Sequence, residues 1–91
     1  MLKSPFHPGR FLKQLLSEYQ LSQARLARHI GVGVGVINQV CNEKRALSAG
    51  MALKLAGAFG TSPEFWLNLQ TAYDLNRADV RRPIKPLIRV A

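Results

Sequence analysis

Side chains that carry catalysis are scarce in this 91-residue chain, and they are poorly spaced for it. Its one cysteine, Cys41, lies in an apolar run and reads as a small buried hydrophobe, not a nucleophile. His7 and His29 have no ligand-spaced partner among that cysteine and the acids Glu18, Glu43, Glu64, Asp74 and Asp79, so no metal site is expected. The acids form no paired-carboxylate motif. GVGVGV at 31–36 is not a dinucleotide fingerprint, and no phosphate loop ending in GK[ST] exists. No catalytic residue and no cofactor are expected, and the chain does not read as an enzyme. Residues 22–45 offer a different chemistry: Ser22 and Gln23, then Asn38, Gln39 and Asn42, then Lys44 and Arg45. Carboxamides can hold adenine through its N6/N7 edge, and cations neutralise phosphates. That is recognition chemistry, and its natural object is nucleic acid.

The charge balance agrees. Thirteen Lys and Arg stand against five Asp and Glu, a net charge of +8, which favours polyanionic partners. Eight basic and two acidic residues fall in 1–60, five and three in 61–91, so the surplus lies mainly in the first two thirds. An acidic protein patch or an anionic membrane surface would answer the same charge. At 47% hydrophobic and 20% charged the composition is that of a globular domain, and the length suits one. A single cysteine excludes an intrachain disulfide. The opening MLKSPFHPGR has no apolar run of a secretory signal, and no stretch approaches the ~20 apolar residues that span a bilayer. A cytoplasmic protein without a membrane association is expected.

The elements that must position these residues read as a series of short helices. Pro8 and Gly9 precede FLKQLLSEY, where Phe11, Leu12, Leu15, Leu16 and Tyr19 recur at three and four. Ser22 is an N-cap for QARLARHI, which Gly31 closes in the left-handed position that ends helices. GVGVGV alternates like a strand but has no partner strand other than the tail, so it is read as the start of a third helix. Ser48 caps a fourth, with Met51, Leu55, Ala58 and Phe59 inward, closed by Gly60. Ser62 followed by Pro63 opens a fifth helix over 63–80, with Phe65, Trp66, Leu69, Ala72, Tyr73 and Val80 inward or in an interface. The class is all-α: a five-helix domain over 1–80 with an extended basic tail, RRPIKPLIRVA, at 81–91.

Residues 23–42 carry the central inference. A helix-turn-helix needs a small residue where its helices cross, a glycine at the turn and apolar residues pinning the second helix. Ala27, Gly31 and Ile37 meet those needs, with Leu26, Ile30, Val32 and Val40 in the other inward positions. If the unit docks on DNA, Ile37, Val40 and Cys41 face the core, while Gly33, Val34, Gly35, Asn38, Gln39 and Asn42 face the groove. Gln39, supported by Asn38, is the expected base reader on an A·T-rich half-site, and valine methyls pack on thymine methyls. Asn38 and Asn42 have the plainer alternative of capping or turning the chain. Ser22 and Gln23 at a helix N-terminus suit a phosphate, although Ser22 serves equally as a plain cap. Lys44 and Arg45 are expected phosphate contacts, against the ordinary reading of a solvated face.

HPGRFLKQLL (7–16), LSQARLARHIGV (21–32), INQVCNEKRALS (37–48) and MALKLAGAFGTSPEFWLNLQTAYDL (51–75) resemble the HigA/VapI-type antitoxins of the lambda-repressor-like helix-turn-helix family. GTSPEFWLNLQTAYDL is the most specific part. The resemblance implies a homodimer that represses its own operon by binding double-stranded operator DNA and neutralises a cognate HigB/RelE-like mRNA-cleaving toxin. The chain departs from the family pattern twice. Where the family usually has Ser and polar residues at the head of the reading helix, it has Gly33, Val34, Gly35 and Val36; and the loop glycine of the usual NGKR is Glu43. Glycines cost a helix ~1 kcal/mol each relative to alanine. The departures keep a second reading open, a module of the same fold that caps a toxin without sequence-specific DNA binding. A phage-type repressor with no toxin is disfavoured by SPEFWLNLQTAYDL.

Assembly follows from geometry. A two-fold dimer reads two half-sites ~10 bp apart, and the fifth helix, alone or with the proline-containing tail, is expected to build it. Trp66, Leu69 and Tyr73 are the candidates for that seam, with burial in the home core the ordinary fate of Trp66. The tail residues Arg81, Arg82, Lys85 and Arg89, spaced by Pro83 and Pro86, form an arm whose exposed backbone could pair with an edge strand. Disorder at a chain end would read the same way.

Overall fold

Three serines start three of the helices. Ser22, Ser48 and Ser62 each turn Oγ to accept a backbone N–H three residues on, from Arg25 (3.0 Å), Met51 (3.1 Å) and Phe65 (3.1 Å). The computed structural model describes residues 5–78 and 82–90. In chain order its helices are α1 (Pro8–Glu18), α2 (Gln23–Ile30), α3 (Val34–Cys41), α4 (Ala49–Phe59) and α5 (Pro63–Arg77), with no strand among the described residues. Gly31 and Gly60 close α2 and α4 at φ 75° and 68°, the left-handed geometry that glycine adopts without a Cβ penalty.

Each helix sends its apolar side to one core. Leu12 and Leu16 enter from α1, Leu26 and Ala27 from α2, Ile37, Val40 and Cys41 from α3, and Met51, Ala52, Leu55 and Ala56 from α4. Leu47 joins them from the α3–α4 loop. α2 packs on α3, α1 backs α3, and α4 lies along α5. The helix-turn-helix unit of the sequence, with Ala27 and Ile37 buried around Gly31, is therefore present as expected.

Several expectations change in the structure. Trp66 is 0% exposed, ringed by Phe11, Phe59 and Phe65, and its Nε1 donates to Thr61 Oγ1 at 2.8 Å. It fills the home core, the ordinary fate expected of it, and offers no exposed surface to a seam. Tyr19, expected on the apolar face of α1, caps the helix and is exposed, because the helix ends one residue before it. α5 ends at Arg77, short of 80, and Ala78 turns to extended backbone. Residues 74–78 are all exposed, so the last turns have no packing to extend them. The expectations for Val80 and Arg81 lie outside the described residues. Residues 82–90 form no helix or strand and are exposed throughout, Ile84, Leu87, Ile88 and Val90 included.

Two contacts anchor the start of α1, which begins at Pro8 and not at Phe11. His7 is buried, and its Nδ1 accepts from Gly9 N at 2.9 Å, so a histidine caps the helix while its ring meets Tyr73 edge-on at 5.1 Å. Gly9 lies directly against the carbonyl of Val40. A Cβ there would sit inside the van der Waals envelope of that oxygen. Gln70 on α5 is the second buried polar side chain. Its Oε1 accepts from Leu47 N at 2.7 Å and its Nε2 donates to Asp74 Oδ1 at 2.9 Å, which pins the α3–α4 loop to α5.

Candidate nucleic-acid interface

The face of α3 turned away from the core is where the polar residues of the sequence collect. Its periodicity places Ile37, Val40 and Cys41 inward, and Gly33, Val34, Gly35, Asn38, Gln39 and Asn42 on the exposed side. The two ends of that face differ. At the leading end Gly33 is the N-cap, makes no side-chain cap bond, and is followed by exposed Val34 and Gly35. A Cβ at Gly33 or Gly35 would meet nothing within 4 Å, so this end is open and nearly bare of hydrogen-bonding side chains.

The trailing end is wired. Asn38 Nδ2 donates to Gln23 Oε1 at 3.3 Å across the two helices, and Asn42 Nδ2 donates to Asn38 Oδ1 at 3.2 Å one turn on. Arg45 Nε donates to Gln39 Oε1 at 2.8 Å. Glu43 makes the second bond set possible by standing at φ 61°, a left-handed turn that folds the chain back so that Lys44 N meets Gln39 O at 2.8 Å. This is the position where the family pattern has glycine. Arg45 is thereby brought over α3.

Ser22 is committed as the cap of α2, with Gln23 half-buried beside it and Lys44 and Arg45 exposed. Of the ten sequence-predicted interface residues, side-chain bonds join Gln23, Asn38 and Asn42 in one set and Gln39 and Arg45 in another. Other cations are engaged elsewhere: Arg10 lies over Phe6 at 5.8 Å and Arg77 over Tyr73 at 5.2 Å. Of the seam candidates, Leu69 and Tyr73 are half-buried on α5, with Leu75 exposed beyond them.

Sequence reasoning missed the pairing of Gln39 with Arg45. The i,i+4 spacing of Asn38 and Asn42 was a readable signal for their bond, whereas a left-handed glutamate carries none. No group of three or more metal-ligating side chains occurs among the described residues. Burial pushes the Cys41 thiol above its ordinary range, with a smaller opposing pull from Lys13, which keeps the group protonated and inert. Among the described residues no helix is long and apolar enough to cross a membrane.

Fold and exposed face together define a helix-turn-helix domain. Comparison with known proteins narrows this. The helix-turn-helix family profile matches residues 12–66. Virulence-associated protein A' of Dichelobacter nodosus is 40% identical over 84% of this chain and 67% of its own length. Antitoxin HigA-1 of Vibrio cholerae is 38% identical over 80% of this chain and 70% of its own length. The structure of the Pseudomonas aeruginosa antitoxin HigA with the higBA promoter superposes with a TM-score of 0.81 at 38% identity, covering 92% of this chain and 99% of that one. The chain belongs to the helix-turn-helix family, in the branch that holds the HigA antitoxins. That membership agrees with the reading of a regulator and not an enzyme.

Proposed function

We propose that this chain is the antitoxin of a toxin–antitoxin pair: a cytoplasmic two-fold dimer that represses its own operon by binding operator DNA and neutralises a cognate mRNA-cleaving toxin. The observation that carries this reading is the exposed polar face of α3, set on a fold that matches, over nearly its whole length, an antitoxin solved with its promoter. The N-terminus of α2, with Ser22 and Gln23, and the loop cation Lys44 hold phosphates; α3 enters the major groove. Gly33 and Gly35 allow close approach, Val34 packs on thymine methyls, and Gln39 and Asn42 serve the base edges with Asn38 between Gln23 and Asn42. Leu69 and Tyr73 on α5 line the dimer seam, and the basic arm, Arg82, Lys85 and Arg89 within the described residues, reaches toward a partner strand.

The test is binding of the full chain to the DNA upstream of its own reading frame and to the same DNA shuffled, followed across salt. Preference for the native promoter is expected, with affinity falling about 0.9 log unit per log unit of salt for each phosphate neutralised. The bare leading end of α3 favours one competing reading, a toxin-capping module without operator preference. Equal affinity for native and shuffled DNA at every salt concentration would establish that reading instead.

A further inference from the structure

We propose that Gln39 and Arg45 act as one unit that reads a guanine, and that Asn38 positions its neighbours without reading a base. This rests on the DNA-binding reading above and refines it, because the sequence alone pointed Gln39 at adenine. A guanidinium carries donors only. With Arg45 Nε at 2.8 Å, Gln39 must therefore turn its oxygen to the arginine and its NH2 outward, so the orientation of this amide is settled by its partner's chemistry. The pair then presents to the groove the NH2 of Gln39 and the Nη groups of Arg45, donors on both sides. Guanine offers two acceptors, N7 and O6, on its major-groove edge, whereas adenine offers the acceptor N7 beside the donor N6. A donor-only pair matches guanine. Adenine would set its N6 donor beside the donors of Arg45, with only the second lone pair of the Gln39 oxygen left to meet it.

Asn38 has no such freedom. Its Nδ2 donates one N–H to Gln23 and its oxygen accepts from Asn42, so both ends of the amide are tied within the protein and its orientation is fixed by them. The chain of amides has a direction: it leaves the NH2 of Gln23 outward at the start of α2, where a phosphate needs a donor, and the oxygen of Asn42 outward at the far end. Reversing all three amides would turn the Gln23 oxygen toward that phosphate, so only the observed direction suits the site. Asn38 thus holds Gln23 and Asn42 in register across the two helices.

The experiment selects sites for the full-length wild-type chain from a randomised double-stranded DNA library. Affinities are then measured for the recovered site, for the site with one guanine changed to adenine, and for the site with that guanine replaced by 7-deazaguanine. Recovered half-sites should contain a guanine whose change to adenine costs about ten- to a hundredfold. Gln39→Ala and Arg45→Ala should each abolish that discrimination, and the double variant should lose little more than either. Arg45→Lys keeps the charge and the salt slope but should also lose discrimination. Asn38→Ala should weaken every site alike and leave base preference unchanged, with thermal unfolding by circular dichroism confirming a folded protein in each case. Half-sites that place adenine at the Gln39-dependent position, with Arg45→Lys behaving as wild type, overturn the proposal and leave Arg45 a phosphate contact. A library that yields no consensus, with equal binding to all sequences, overturns the operator reading as well as this one.

Discussion

α2 and α3 are each eight residues long and cross within one motif, yet they are held by different means. α2 is secured at its ends: Ser22 caps it, Gly31 closes it, and Arg28 lies in the last turn, where the helix dipole favours cations. α3 has no side-chain cap and a glycine in its first turn, and its left-handed closure falls to Glu43, a residue without glycine's conformational freedom. What it has is its buried side, with Ile37 and Val40 among the most completely enclosed side chains of the protein. The lesson is that the framing helix carries its own local signals, while the reading helix takes its order from the core beneath it. An exposed face freed from structural duty can then be given over to recognition.

That contrast can be broken from either side. Ile37→Ala should have the largest effect, a loss of about 2–5 kcal/mol measured by urea unfolding, because it opens a cavity under the helix that depends on burial. Ser22→Ala should cost about 1 kcal/mol in the same assay, the price of one cap on the helix that depends on caps. If the two losses are equal, the difference between the helices is not one of means. The smallest effect sharpens the comparison further. Gly35→Ala adds a Cβ into open space and should raise stability by about 0.5–1 kcal/mol. A neutral or destabilising result would show that α3 needs more than its own propensity repaired.

Much of the fold was legible because its signals are local. The serine caps at 22, 48 and 62, the closing glycines at 31 and 60, and the three-four recurrence of apolar residues all act within a turn or two of their own position. What the sequence concealed acts over distance. His7 reads as an unremarkable N-terminal residue until Tyr73 is folded against it, and Gln70 reads as surface until the α3–α4 loop brings Leu47 N to its carbonyl. Trp66 was ambiguous between core and seam for the same reason: only the approach of Phe11 and Phe59 from other helices decides it. At the interface, helical periodicity sorted the inward from the outward residues of α3. It could not show that the outward ones bond to one another, because Arg45 reaches Gln39 only through the left-handed turn at Glu43.

The approach of Gly9 to Val40 has a mechanical consequence. Here α1 meets α3 backbone to backbone, with no side chain between them to compress. Protein interiors have low compressibility and transmit strain. A load applied to the outer face of α3 passes at this point straight into α1, which acts as a backstop, while the glycines at the opposite end of α3 have no such backbone contact at their Cβ positions. Stiffness should therefore rise along the eight residues of the helix. Asn38, Gln39 and Asn42 sit toward the rigid end, and Gly33 and Gly35 at the compliant one, so the helix resembles a probe clamped at its base with a yielding tip.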